Sequence, residues 1–231
     1  EMLVILPFEK DFYKKHQVNA HFVGHPLLDA ISDLAPIDAE NFKKEYGLND
    51  KEIIALLPGS REQEVEKMLS LMLSVRDYFK NYQFVIAGAP SLPKEFYQKF
   101  VDYDVHFVSN KTYDLLRCSK AALVTSGTAT LETALLNVPE IVCYRTSTIS
   151  YEIGKRVVKN IKFISLVNLI MDREIVKELI QKELNTENLV TELQKILEGQ
   201  KRDEMLKNYE LLREKLGGKG ASEHAAEIIV N

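Results

Sequence analysis

From about residue 52 onward, short apolar runs alternate with longer amphipathic ones along the chain. Ile53-Ile54-Ala55-Leu56-Leu57, Phe84-Val85-Ile86-Ala87, Val105-His106-Phe107-Val108, Ala121-Ala122-Leu123-Val124, Ile141-Val142-Cys143-Tyr144 and Phe163-Ile164-Ser165-Leu166 are all of strand length and mostly apolar. Such runs read as strands buried on both faces, the condition of a parallel sheet. The clearest helix between them places Val65, Met68, Leu69, Met72, Val75 and Phe79 at the spacing of one helix face. The alternation predicts an α/β fold, a Rossmann-like doubly wound parallel sheet with helices on both sides. In such sheets ligands bind where strand ends open into helices. After Arg173 the strands are expected to stop. Residues 173–181, 186–198 and 200–216 read as three helices, Gly217-Gly218-Lys219-Gly220 breaks the pattern, and a short helix follows through Ala221-Ser222-Glu223-His224-Ala225-Ala226.

At the other end, Met2-Leu3-Val4-Ile5-Leu6 is an apolar run of strand length directly after Glu1. Apolar on both faces, it belongs in the middle of a parallel sheet, yet no segment precedes it to supply neighbours. The expectation is a fragment lacking its N-terminal portion, in three parts. Residues 1–30 would be the last strand of the missing domain with its crossover, and residues 31–216 a complete α/β domain. Residues 217–231 would form a linker and a helix that docks on the missing domain or on a partner.

Composition bears on partners more than on fold. With 231 residues, 45% hydrophobic and 28% charged, the chain is an ordinary globular sequence long enough to need no staple. A net charge of −4 argues against a dedicated nucleic-acid binder. Cys118 and Cys143 sit in apolar stretches and read as buried, reduced thiols. The five histidines show no metal-ligand spacing, so neither a metal nor a cofactor is expected. No apolar run approaches the roughly 18 residues of a membrane span, which leaves a cytosolic protein or one peripheral to a membrane.

Three strand ends carry residues suited to a phosphorylated ligand. Leu57-Pro58-Gly59-Ser60-Arg61-Glu62-Gln63-Glu64-Val65 joins a strand to a helix, with Ser60 and Gln63 in a capping-box pattern. A helix N-terminus offers free N–H groups and the positive end of a dipole, and Arg61 adds a planar fork for phosphate. A capped helix with a solvated arginine is the plainer reading, and spacing leaves the two level. Thr125-Ser126-Gly127-Thr128-Ala129-Thr130-Leu131-Glu132 is a second such junction. Its small residues admit a ligand to the backbone, Ser126 and Thr128 add hydroxyls, and Glu132 lies one turn on, within reach of a ribose. The alternative is a tight packing turn. Neither GxGxxG nor GxxxxGK[ST] is present, which removes the main support for dinucleotide and P-loop readings.

The third strand end, Ser165-Leu166-Val167-Asn168-Leu169-Ile170, offers one amide. Asn168 either hydrogen-bonds a phosphate or sugar hydroxyl, or caps a turn. A basic stretch, Lys155, Arg156, Lys159 and Lys162 against Glu152, is interleaved with Ile149, Tyr151, Ile153, Val157 and Val158. It reads as a solvated helix face, or as a surface for anionic lipid or a phosphorylated substrate. His25, in Gly24-His25-Pro26, either borders an interdomain cleft or is an ordinary turn residue.

Together these segments resemble the lipid-A-disaccharide synthases. The resemblance rests on Leu3-Val4-Ile5-Leu6-Pro7-Phe8-Glu9 and Phe22-Val23-Gly24-His25-Pro26-Leu27-Leu28-Asp29 at the start. Leu56-Leu57-Pro58-Gly59-Ser60-Arg61 with Glu64-Val65, Ser126-Gly127-Thr128-Ala129 with Leu131-Glu132, and Ser165-Leu166-Val167-Asn168-Leu169 follow in the expected order, and Tyr144-Arg145 and Arg173-Glu174 also fit. It covers essentially the whole chain and departs at Val167, where the family is expected to carry proline.

The resemblance implies GT-B architecture, two Rossmann-like domains across a cleft, with this chain as the C-terminal, donor-binding half. Residues 1–30 then hold the last strand of the acceptor domain and 31–216 the UDP-sugar domain. The implied reaction is an inverting, metal-independent transfer of 2,3-diacylglucosamine from UDP to 2,3-diacylglucosamine 1-phosphate. It gives a β(1→6) disaccharide and UDP at the cytoplasmic face of the inner membrane of Gram-negative bacteria, in a family that can form homodimers. The implied UDP-sugar contacts are Gly59, Ser60, Arg61, Ser126, Gly127, Thr128, Ala129, Glu132 and Asn168, with the backbone near Val108–Ser109 beside the uracil. Arg61 stabilises the leaving phosphate, the general base is expected on the missing domain, and the fragment alone forms no product. The alternatives are another UDP-sugar GT-B enzyme (an N-acetylglucosaminyltransferase or a 2-epimerase), a non-catalytic UDP-sugar-binding module, and an NAD-dependent oxidoreductase.

Overall fold

The computed structural model describes residues 2–102, 104–146 and 162–230. The basic stretch lies outside them except for Lys162, which faces Asp172 at 3.4 Å on the surface.

The chain opens with β1 (Met2–Val4), α1 (Pro7–Lys15), β2 (Ala20–Phe22) and α2 (Pro26–Ser32). β1 is not without a neighbour: β2 pairs with it in parallel, Met2 opposite Ala20 and Val4 opposite Phe22. Three residues with a histidine between the apolar ones give too short a run to read as a strand. α1 buries none of its residues. α2 buries Leu28 in the core of the larger sheet.

After α3 (Ala39–Glu45) come β3 (Glu52–Leu57), α4 (Glu62–Leu73), β4 (Tyr82–Gly88), α5 (Lys94–Tyr97), β5 (Val105–Ser109), α6 (Thr112–Arg117) and β6 (Ser119–Thr125). They are followed by α7 (Thr128–Leu135), β7 (Glu140–Tyr144), α8 (Leu166–Met171), β8 (Lys177–Ile180), α9 (Thr186–Leu197), α10 (Gln200–Lys215) and α11 (Ala221–Val230). Six strands form one parallel sheet in the order β5-β4-β3-β6-β7-β8. Alternate residues of β3 serve opposite faces. Ile54 and Leu56 join Val65, Met68, Leu69 and Met72 of α4 on one side; Ile53, Ala55 and Leu57 join Phe42 and Leu115 on the other. The sheet is therefore doubly wound, as expected.

Three expectations fail here. The run 163–166 is not a strand, because Ile164 and Ser165 form a bend and Ser165 caps α8, its Oγ accepting from the Asn168 N–H. The stretch 173–181 is not a helix but contains β8, parallel to β7. Ile175, Val176, Leu179 and Ile180 have helix-like spacing, yet β7 needs a partner on that side and pairing overrides local periodicity. The helix expected through Phe79 also stops at Leu73; Val75 and Phe79 reach the core across a short 3-10 turn.

α11 lies against the first thirty residues of its own chain. Gly220 N donates to Asp29 Oδ1 at 2.7 Å, and His224 Nδ1 is 3.3 Å from the Val23 carbonyl oxygen. A β-carbon at Gly24 would stand 3.4 Å from that of Ala221, so only a small residue fits this approach. Among the described residues, no helix is long and apolar enough to cross a membrane.

Candidate functional site

In the observed strand order, β3 and β6 lie side by side, and the chain leaves them in opposite directions across the sheet. Loops that part in this way leave a crevice at the carboxyl ends of the strands. A cavity of about 360 Å³ sits there. Leu57, Gly59, Ser60 and Glu64 line it from β3 and α4, and Thr125, Ser126, Gly127, Thr128, Ala129 and Glu132 from β6 and α7. Residues 87–90 and Thr112 close the third side.

Both helices begin at the cavity. Gly127 caps α7 with φ 154° and ψ −162°, a conformation that only glycine adopts without strain. Thr130 Oγ1 donates back to the Gly127 carbonyl at 2.9 Å, and Thr133 Oγ1 to that of Ala129 at 2.7 Å, which fixes the turn. At α4 the cap is Arg61, not Ser60, and no side chain bonds the helix N-terminus, so the capping box read from Ser60 and Gln63 is not formed. Ser60 is tied elsewhere: its carbonyl accepts from Ser91 Oγ at 2.8 Å, joining the loops after β3 and β4. Gly59 has φ 105°, and a β-carbon there would lie 2.6 Å from Glu64 Oε2. The Glu64 carboxylate therefore lies over the glycine backbone.

Glu132 Oε1 accepts from Tyr113 Oη at 2.9 Å. Burial, then the Glu132 charge, pushes the Tyr113 phenol far above its ordinary range, so it stays a donor. At the cavity floor, Thr125 is 5% exposed and its hydroxyl has no hydrogen-bond partner among the described residues. Ser126 is held twice, N–H to the Cys143 carbonyl at 3.3 Å and Oγ to the Ile164 carbonyl at 3.0 Å. With its proton committed to Ile164, Ser126 Oγ presents lone pairs, not a donor, to the cavity.

The other sequence candidates are placed differently. Arg61 is exposed beside the cavity without lining it. The Val108 side chain is core, packed with Phe42 and Leu115. Asn168 is fully buried and lines nothing. Its Oδ1 accepts from Ile175 N (2.8 Å) and Val176 N (3.1 Å), and its Nδ2 donates to the Val176 carbonyl and to Glu178 Oε1, both at 2.9 Å. No hydrogen-bonding position of the amide is left for a ligand, which corrects the ligand reading of this residue. His25 is an ordinary turn residue here: Nδ1 accepts from Leu27 N at 3.2 Å to cap α2, and burial lowers its pKa.

A match to the family model described as lipid-A-disaccharide synthetase extends over residues 1–230. The chain belongs to that family. Among its relatives, the lipid-A-disaccharide synthase of Myxococcus xanthus is 36% identical over 238 residues, covering 99% of this chain and 61% of the relative. That of Syntrophus aciditrophicus is 39% identical over 235 residues, covering 97% of this chain and 61% of the relative. This chain thus spans about three-fifths of the length of those proteins. A glycotransferase of kitacinnamycin shares the fold, with a TM-score of 0.62 at 11% identity over 98% of this chain and 53% of that one.

For this member of the lipid-A-disaccharide synthetase family, sequence reasoning missed Glu64, Thr125, Thr112 and residues 87–90 as cavity lining. The last had a signal: Gly88-Ala89-Pro90 closes the second strand run as a tight turn at a carboxyl end. Thr125 had none, since a threonine ending an apolar run looks like any other strand residue.

Proposed function

We propose that this chain supplies the UDP-sugar site of a lipid-A-disaccharide synthase. The whole enzyme then moves 2,3-diacylglucosamine from UDP to 2,3-diacylglucosamine 1-phosphate. The observation that carries the reading is the convergence of two helix N-termini, α4 and α7, on one cavity at the switch point of the sheet. Unpaired N–H groups and two dipole ends directed at one space suit a diphosphate.

In this reading the backbone at Gly59, Ser60, Gly127, Thr128 and Ala129 holds the diphosphate. Arg61 closes from the rim as charge develops on the leaving phosphate. Glu132, steadied by Tyr113, and Glu64 accept from hydroxyls of ribose or sugar, since a carboxylate beside a diphosphate is favourable only toward donors. Ser126 Oγ accepts likewise, from a hydroxyl or an N–H. Displacement inverts the anomeric carbon without a metal, and the base comes from residues beyond these. The basic stretch 155–162 would favour a peripheral seat on an anionic membrane surface, in keeping with the inner-membrane face of the cytoplasm, where a homodimer would act.

Calorimetric titration of the chain with UDP tests the site and should give saturable binding that is weakened by Gly127→Ala. No heat at millimolar UDP would remove the uridine reading. In the whole protein, turnover of acylated but not unacylated UDP-glucosamine separates the synthase from other UDP-sugar enzymes.

A further inference from the structure

Behind the α7 turn lies a polar cluster sealed from solvent. Glu178, on β8 and 7% exposed, receives four donors. Ile164 N reaches Oε2 at 2.9 Å, while Ser165 N (3.0 Å), Ser165 Oγ (2.7 Å) and Asn168 Nδ2 (2.9 Å) reach Oε1. Ser165 is fully buried, and its Oγ also accepts from Asn168 N at 3.3 Å, which closes the ring. Four charge-assisted bonds on one buried carboxylate fix the bend at 164–165 far more firmly than a surface loop is fixed. The Ile164 carbonyl, held by that bend, takes the Ser126 proton at the mouth of the cavity.

We infer that Glu178 is a positioning residue for the nucleotide cavity: through the 164–165 bend it fixes Ser126 and determines that its hydroxyl accepts from the ligand. The chain of contacts runs Glu178, Ile164, Ser126, cavity: the first two links are the hydrogen bonds given above, and at the third Ser126 lines the cavity. If the bend relaxes, the Ser126 proton is released and the hydroxyl becomes free to donate. The site would then lose its fixed acceptor, and Ser126 one of its two anchors. This rests on the nucleotide reading for its ligand but not for its geometry, so the two are tested separately.

The test compares Glu178→Gln, Ser126→Ala and the double variant of this chain, by amide hydrogen exchange and by titration with UDP. Glu178→Gln should speed exchange at residues 126–130 while the other cavity turn, 59–64, keeps its protection. UDP affinity should fall about tenfold in Glu178→Gln but change less than twofold further when Ser126 is already alanine, the signature of residues acting as one unit. Equal protection of both turns in parent and variant overturns the inference, whether or not UDP binds. So do additive losses of affinity, which indicate a merely structural role. If UDP fails to bind even the parent chain, the ligand reading falls, and the exchange pattern still decides the positioning role. Should Glu178→Gln not fold, Ser165→Ala removes one of the four donors with little change in packing. It should give the same pattern at smaller amplitude; no change at 126–130 overturns the inference.

Discussion

The turns entering α4 and α7 and the bend entering α8 look alike in sequence, small polar residues joining an apolar run to a helix, yet the protein uses them in opposite ways. The first two leave their helix N-termini open to a cavity. At the third, the Glu178 carboxylate occupies the N–H groups of Ile164 and Ser165. In effect the chain has supplied its own anion to the bend before α8, while Ser165 Oγ takes the Asn168 N–H within the helix. The difference teaches that a helix N-terminus receives a ligand only where no buried carboxylate has already claimed its donors.

The largest effect should come from breaking the closed end. Asn168→Ala strands Ile175 N, Val176 N and the Val176 carbonyl in the core and takes a donor from Glu178. Denaturant unfolding should therefore show a loss of about 3 kcal/mol or more. A variant as stable as the parent would mean that the bend is not closed. At the open end, Gly127→Ala meets no clash among the described residues, none of which lies within 4 Å of the added carbon, but it must hold φ 154°. The strain should remove about 1–3 kcal/mol, and the methyl group enters the α7 turn, so UDP affinity should fall with stability. Unchanged melting would show that the turn relaxes at no cost.

A smaller effect sharpens the comparison within the closed end. Glu140 lies fully buried on β7 with neither oxygen hydrogen-bonded among the described residues, in contrast to Glu178 with its four donors. Burial, then the Glu178 charge, raises its pKa well above the ordinary carboxyl value, so it is held neutral. A raised pKa favours folding fully below the ordinary value, and that contribution is lost as pH rises toward the folded value. Glu140→Gln should accordingly melt near the parent at pH 4 and progressively above it toward pH 8. A gap that does not grow with pH would show that Glu140 is ionised or solvated. The smallest effect on stability belongs to Arg61→Ala. Unfolding should stay within about 0.5 kcal/mol of the parent because the side chain is exposed. UDP affinity should drop about tenfold on loss of one charge-assisted contact; an unchanged titration would remove Arg61 from the site.

Much of this was legible from residue pattern. Five of the six runs read as strands are strands, because strands buried on both faces leave an unbroken apolar signature. The rule that parallel sheets bind ligands at strand ends then led to the turns at 59–61 and 126–129, which do meet in one cavity. What failed did so for tertiary reasons. β8 has the periodicity of a helix and is a strand because β7 lies beside it. Asn168 reads as a ligand contact or a turn cap because nothing in the sequence marks Glu178, ten residues on, as its buried partner. Ser60 carried the letters of a cap, but its turn places Arg61 at the cap position instead. Buried polar networks are the least legible layer, since their members are the residue types that usually face water.

The contacts of α11 bear on the order in which the protein can be made. The Val23 carbonyl meets His224, 201 residues later in the chain, and Asp29 meets Gly220, 191 residues later. At synthesis rates of about 5–20 residues per second, the first segment waits about 10–40 s for those partners to leave the ribosome. The contacts of Val23 and Asp29 with α11 are thus among the last in this chain to close as it is made.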